Sequence, residues 1–227
     1  MTEIILAAVF WVASHLLISS TPLRQALVNA MGEKIYLGLY SLVAVGALVN
    51  LVWVYHDMPR FEYMWLPNPD LYWVAKATMP VAFILLVGGF MVPNPSNVGM
   101  QIADPESAAE MARGVTRITR HPFQWAVIIW AVGHIVANGD VVSVVFFASF
   151  GLLSLFGSML LDRKKSQTMG PAWGAYARVT SNVPFVALIT GRNRLVLKEL
   201  LVPLVLGLVV HALVYYFHET ISGAVIV

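Results

Sequence analysis

The sequence predicts an all-α integral membrane bundle of about six transmembrane helices, a single domain over residues 1–227. Three observations carry that reading. Hydrophobic residues make up 59% of the chain and charged residues 11%, with mean hydropathy +0.75, where a soluble domain carries about 25% charged residues. Apolar runs near spanning length recur between short polar segments. Lysine and arginine crowd alternate polar segments, the asymmetry of a multi-pass chain.

The first helix is expected over 4–19. Its leader, Met1-Thr2-Glu3, lacks a basic n-region, and no small-x-small cleavage site follows Ile18, so the helix is expected to be retained. Ser20 or Thr21 can cap a short interfacial helix over 23–30, opened by Pro22 and carrying Arg24 and Gln25. A second span covers 35–55, and a loop rich in Pro, Trp, Tyr and Asn, 56–70, suits the headgroup zone. The third span, 71–92, contains Pro80 as a potential kink. Pro93-Asn94-Pro95 breaks it, and in the polar segment that follows Asp104-Pro105-Glu106 reads as a helix start. The fourth span, 122–137, is short against the roughly 20 residues of a full crossing. It turns through Asn138-Gly139-Asp140 into a fifth span, 141–161. A polar segment over 162–194 leads to the sixth, 195–217.

Of 14 Lys and Arg, twelve fall on the face opposite the N-terminus, one (Arg60) on the N-terminal face, and Lys76 lies inside the third span, where its stem can snorkel outward. The basic face is therefore expected to be cytoplasmic and both termini, Thr2 and Val227, non-cytoplasmic, in a bacterial inner membrane. The absence of cysteine excludes disulfides, thiolate metal sites, a covalent C-x-x-C-H haem and a cysteine nucleophile. A net charge of +2 gives no reason to expect nucleic acid as a partner.

Two helices share a pattern. Trp11-Val-Ala-Ser-His15 and Trp130-Ala-Val-Gly-His134 each set Trp and His at i and i+4, on one face, with a small residue before the histidine. An imidazole inside an apolar span is costly without a partner, which makes it a functional candidate. One reading makes His15 and His134 axial ligands of one noncovalent haem b, with Trp11 and Trp130 packed on the macrocycle; neutral imidazoles suit iron. The other makes them histidines hydrogen-bonded between helices. His15 lies near the cytoplasmic end of its helix and His134 near the outer end of its own, an offset of about 8–10 Å at 1.5 Å per residue. His211, grouped with Tyr215 and His218 on one helical face, is the substitute ligand if that offset is too large. His121 stands about 140° around the helix from His134. Beside Arg120 it reads as an anion or cofactor contact, or as an interfacial residue among lipid phosphates. His56 and His218 read as structural. The basic run Arg117, Arg120 and His121 is expected to meet Asp162 or the Tyr176–Arg178 region, because two hairpin helices bring them to one face.

Arg120-His121-Pro122 resembles the R-H-P motif of membrane methyltransferases related to isoprenylcysteine and phospholipid methyltransferases. Gly170-Pro-Ala-Trp173-Gly-Ala-Tyr176 through Pro184-Phe185 resembles their C-terminal motif. Those enzymes place a Glu-Glu pair before the glycine; here Leu161-Asp162 stands in its place, one acid where the S-adenosylmethionine clamp has two. Taken together, His15, Thr119-Arg-His-Pro122, Trp130, His134, Asn138-Gly139-Asp140 and the C-terminal segment most resemble the NnrU family, whose relatives include 15-cis-zeta-carotene isomerases. That resemblance implies an association with nitrogen-oxide metabolism, or haem-dependent cis–trans isomerisation of a polyene. Carried over by motif, the two haem-b histidines of the isomerase relatives fall on His15 and His134. Their alternative cysteine ligand has no counterpart, since Ala131 stands three before His134. The implied substrate is lipid-soluble or a small gas, with the bilayer and a redox partner as further company. A methyltransferase of a lipid or lipidated substrate, and a non-enzymatic regulatory or assembly protein, are the alternatives. No catalytic residue beyond the cofactor contacts His15, His134, Trp11, Trp130, Arg120 and His121 is assigned.

Overall fold

The computed structural model describes residues 1–18, 21–97, 99–102 and 104–223. The named elements among them are all helical. They are α1 (Thr2–Ala13), continued by a π-turn (Ser14–Ile18), α2 (Pro22–Met31), α3 (Glu33–Asp57), α4 (Pro69–Met91), α5 (Pro122–Asn138), α6 (Val141–Met169), α7 (Pro171–Val179), α8 (Val186–Ile189), α9 (Leu197–Tyr216) and α10 (His218–Ser222). Two 3-10 turns, Ala108–Met111 and Gly114–Arg117, lie between α4 and α5. Among the described residues four helices, α3, α4, α6 and α9, are long and apolar enough to cross a membrane. The pair 2–18 and 22–31, bent by 73°, qualifies jointly and makes a fifth candidate. α5, with 17 residues, is the short one, as its sequence predicted.

The chain is apolar outside and partly polar inside. Leu42, Trp53, Trp73, Phe90 and Leu201 are exposed, while Ser14, Ser143, Ser149, Ser154 and Ser158 are buried. In water this would be unstable; against lipid it is the expected distribution, because exposed side chains meet hydrocarbon and buried backbones need small partners. Neighbouring helices form one row: α3 packs on α1, α1 on α6, α6 on α5, α5 on α4, and α4 on α9. Glycine sets the closest of these approaches. A Cβ at Gly207 would lie 2.7 Å from the Ile84 Cα, so α9 and α4 touch backbone to backbone.

The closed end of the α5–α6 hairpin explains the Asn-Gly-Asp turn. Gly139 has φ +72, and a Cβ there would stand 2.2 Å from the Trp65 carbonyl oxygen. The turn is gripped by the strap 62–65: Met64 N donates to Gly139 O (2.9 Å), Val141 N to Glu62 O (2.9 Å), and Trp65 Nε1 to Val136 O (2.9 Å). Asp140 caps α6 by accepting from Ser143 N, and Arg60 approaches it at 3.9 Å.

One sequence expectation holds and two shift. Thr21 Oγ1 does cap α2, accepting from Leu23 N; Ser20 and Val227 lie outside the described residues. The fifth predicted helix does not stop at Leu161 but continues to Met169, because no Gly or Pro interrupts it before Gly170-Pro171. Lys165 then donates to the Asn97 and Met100 carbonyls and ties this extension to the α4–α5 connection. Asp104-Pro105-Glu106 starts no α-helix. The apolar residues after it, Ala108 and Ala112, dock on Trp173 and Tyr176 of α7 instead, which favours a tight 3-10 turn.

Candidate functional site

Two polar centres lie in this frame, one at the basic face and one inside the apolar core. At the basic face Asp162 collects four donors: Arg120 Nε at 2.8 Å and Nη2, His121 Nε2 at 2.7 Å, and Asn182 Nδ2 at 3.3 Å. Asn182 also bonds Ser158, and Trp125 Nε1 donates to its amide oxygen. The Asp162 pairing with Arg120 and His121 is the one the hairpin geometry predicted. Arg117 goes elsewhere: it clasps Glu199 of α9 at 2.7 and 2.9 Å, and Asn193 at 2.8 Å. Tyr176 reaches the same neighbourhood, fully buried, and burial pushes its phenol above the usual tyrosine range. His121 is fully buried, and desolvation holds its imidazole below the usual pKa despite the hydrogen bond and charge of Asp162. It is therefore neutral at pH 7 and donates through Nε2, which leaves Nδ1 as a buried acceptor with no partner among the described residues. With its guanidinium closed on Asp162, Arg120 locks the start of α5 to α6 rather than presenting a cation to a ligand.

The second centre is aromatic. Trp11 of α1 and Trp130 of α5 both pack on Phe150 of α6, with ring centroids at 5.2 and 5.6 Å. Trp130 and His134 also meet Phe147, at 4.9 and 4.7 Å. In both Trp–His pairs the imidazole folds back along its helix. Nδ1 of His15 bonds the Trp11 carbonyl at 2.8 Å, and Nδ1 of His134 bonds the Trp130 carbonyl at 2.8 Å. A carbonyl only accepts, so Nδ1 carries the proton in each pair, the tautomer that metal-bound histidines often have.

The two histidines diverge from the shared Phe150. α1 carries His15 one turn toward the basic face, against Tyr40 at 6.1 Å; α5 carries His134 one turn the other way. Arg120 and His121 stand at the other end of α5, roughly 20 Å from His134 along the helix. His211 packs on Phe83 of α4, and the row puts α4 between α9 and α5.

A model of the NnrU protein family matches residues 3–225. The chain belongs to the NnrU family. It is also similar to the chloroplastic 15-cis-zeta-carotene isomerase of Zea mays, at 29% identity over 182 residues, covering 76% of this chain and 47% of that protein. Its similarity to the same-named protein of Arabidopsis thaliana is 27% over 182 residues, 75% and 46% respectively. The chain thus spans about half the length of the curated relatives it matches. No solved structure matches.

Among the described residues no three His, Cys, Asp or Glu side chains converge as metal ligands. A bare tetrahedral ion needs four ligands. A macrocyclic iron brings four nitrogens of its own and asks the protein for at most two imidazoles. Oriented histidines in an aromatic, apolar surround fit that second case. His218, read from the sequence as structural, has its ring 6.4 Å from that of His134.

Proposed function

We propose that this NnrU-family chain is a membrane isomerase that acts on a lipid-soluble polyene from within the bilayer, with haem b as cofactor and His134 as one ligand. The observation that carries the reading is the wall of rings, Trp11, Phe150, Trp130, Phe147 and His134, built inside the apolar core. The similarity to 15-cis-zeta-carotene isomerases supplies the reaction class. No Asp, Glu, Lys or Arg stands in α5 after Arg120 or in α6 between Asp140 and Asp162. The core thus offers no ionised acid or base, which suits a rearrangement that neither adds nor removes atoms. Haem, when bound, supplies the electron exchange that lowers the order of a conjugated double bond. The chain's own residues hold and exclude: the Trp130 carbonyl fixes the His134 ring, and the aromatic wall keeps water from the π system. For the second ligand the family motif names His15.

The same reading places the protein in a bacterial inner membrane with six crossings. α5 is the sixth, both termini face away from the basic side, and a redox partner serves that side. A small nitrogen oxide is the other substrate the family association suggests. The basic cluster does not favour methyl transfer, because Arg120 and His121 are spent on Asp162.

The test is purified protein loaded with haem b, given 15-cis-zeta-carotene under reducing conditions, with isomers separated by chromatography. Conversion is expected, falling at least roughly tenfold in His134→Ala, as for loss of a metal ligand or its support. Full haem occupancy without conversion would reject the polyene; no haem uptake would reject the cofactor.

A further inference from the structure

We propose that the groove between α1 and α3 seats a second copy of this chain, and that the two copies meet around Asn50 and Gly46. The inference is independent of the cofactor reading. α3 ends the row of helices, with α1 as its main neighbour. Between the two lies a groove of about 750 Å³, lined by Glu3, Ala7 and Phe10 of α1 and by Gly46, Asn50 and Val54 of α3. It opens to the surroundings of the row rather than into the core.

Two of these residues are unused by the single chain. Asn50 stands seven residues, roughly 10 Å, before the Asp57 end of α3, inside the hydrocarbon layer when that helix crosses a membrane. Its side chain is exposed and makes no hydrogen bond among the described residues. An amide open to acyl chains is costly, because they neither donate to it nor accept from it. Gly46 precedes Asn50 by one turn on the same face. A Cβ there would meet nothing within 4 Å, whereas one at Gly88, Gly133 or Gly207 would stand within 3 Å of a neighbour. Those three glycines let helices of this chain approach one another; Gly46 leaves the same room for a helix from outside it. Leu42, one turn before Gly46, and Trp53, one turn after Asn50, are exposed as well, so the apolar strip continues on both sides. The occupant must bring both a donor and an acceptor to the depth of Asn50. A carboxamide offers both. Copies of one chain share one orientation in the membrane, and a two-fold axis along the membrane normal keeps each residue at its own depth. A second Asn50 therefore meets the first, each amide nitrogen donating to the other's oxygen, while the paired glycines let the backbones close. The other edge of the row, α9, presents Leu201, Val202, Val205 and Val209, which suit lipid.

The experiment uses the full chain, carrying one fluorescent tag, in liposomes at stepped protein-to-lipid ratios, and counts chains per particle by single-molecule photobleaching. Wild type is expected to pass from monomer to dimer as its density rises. Asn50→Leu and Gly46→Leu are each expected to weaken the dimer by roughly fivefold or more. Both positions are open in the single chain, so helix content by circular dichroism is expected to stay unchanged. The chain has no cysteine, which makes a single introduced thiol a clean reporter. Trp53→Cys, treated with a short bis-maleimide in native membranes, is expected to give a covalent homodimer, and Leu201→Cys on α9 none. A wild type that stays monomeric at every density overturns the proposal. So does a dimer that neither leucine variant weakens, because it must use another face. A Trp53→Cys crosslink to a different protein, with no homodimer, also overturns it and gives the groove to that partner.

Discussion

Asp162 shows how one side chain can hold two helices together. A carboxylate partly withdrawn from water is stable there only because Arg120, His121 and Asn182 all donate to it. His121 is the pH-sensitive member. Its folded pKa is below the ordinary value, so the unfolded chain takes up the proton first as pH falls. Stability from this group is fully present above about pH 6.5 and is lost as pH drops below it. We expect the midpoint of thermal unfolding in detergent to fall between pH 7 and pH 5. The slope should flatten in His121→Gln, which keeps a donor for Asp162 and removes the titration. An equal slope in the variant would assign the acid sensitivity to another group. Sequence reasoning found this pair because a hairpin returns its ends to one face. It misassigned Arg117, because Glu199 lies 82 positions away on α9, and no local spacing announces such a contact.

At the scale of elements, the α5–α6 turn makes the sharpest forecast. Gly139→Ala must place a Cβ where the Trp65 carbonyl stands and hold φ +72 without the freedom of glycine. Destabilisation of about 2 kcal/mol or more is expected, from backbone strain and steric conflict together. Fluorescence of Trp65 should report release of the strap in the same variant; an unchanged spectrum and stability would mean that the strap yields at no cost. Helix existence was legible in the sequence because apolar runs of this length have few alternatives. Helix ends were less so: α6 ran on past its apolar stretch through a polar but unbroken sequence, and the break at Phe217 has no Gly or Pro to mark it. The Trp–His pairs were legible because an i, i+4 repeat keeps its meaning inside any one helix.

For the whole molecule, the charge asymmetry makes the testable statement. The 170–194 region, with Arg178, Arg192 and Arg194, is expected on the cytoplasmic side and Arg60 on the other. Cysteine introduced at Arg60 in this cysteine-free chain should be labelled in intact cells by a membrane-impermeant maleimide, and cysteine at Arg192 only after lysis. The reverse pattern would invert the topology. One further property follows from α5, whose 17 residues sit mid-row between the longer α4 and α6. At 1.5 Å per residue it reaches only about 25 Å, against a hydrocarbon layer of roughly 30 Å. If α5 is a crossing, as the six-span reading has it, the lipid beside it must thin or the helix must draw polar headgroups inward. That reading puts a hydrophobic mismatch beside His134, and bilayers of shorter acyl chains are the ones in which that stretch of the row would sit without strain.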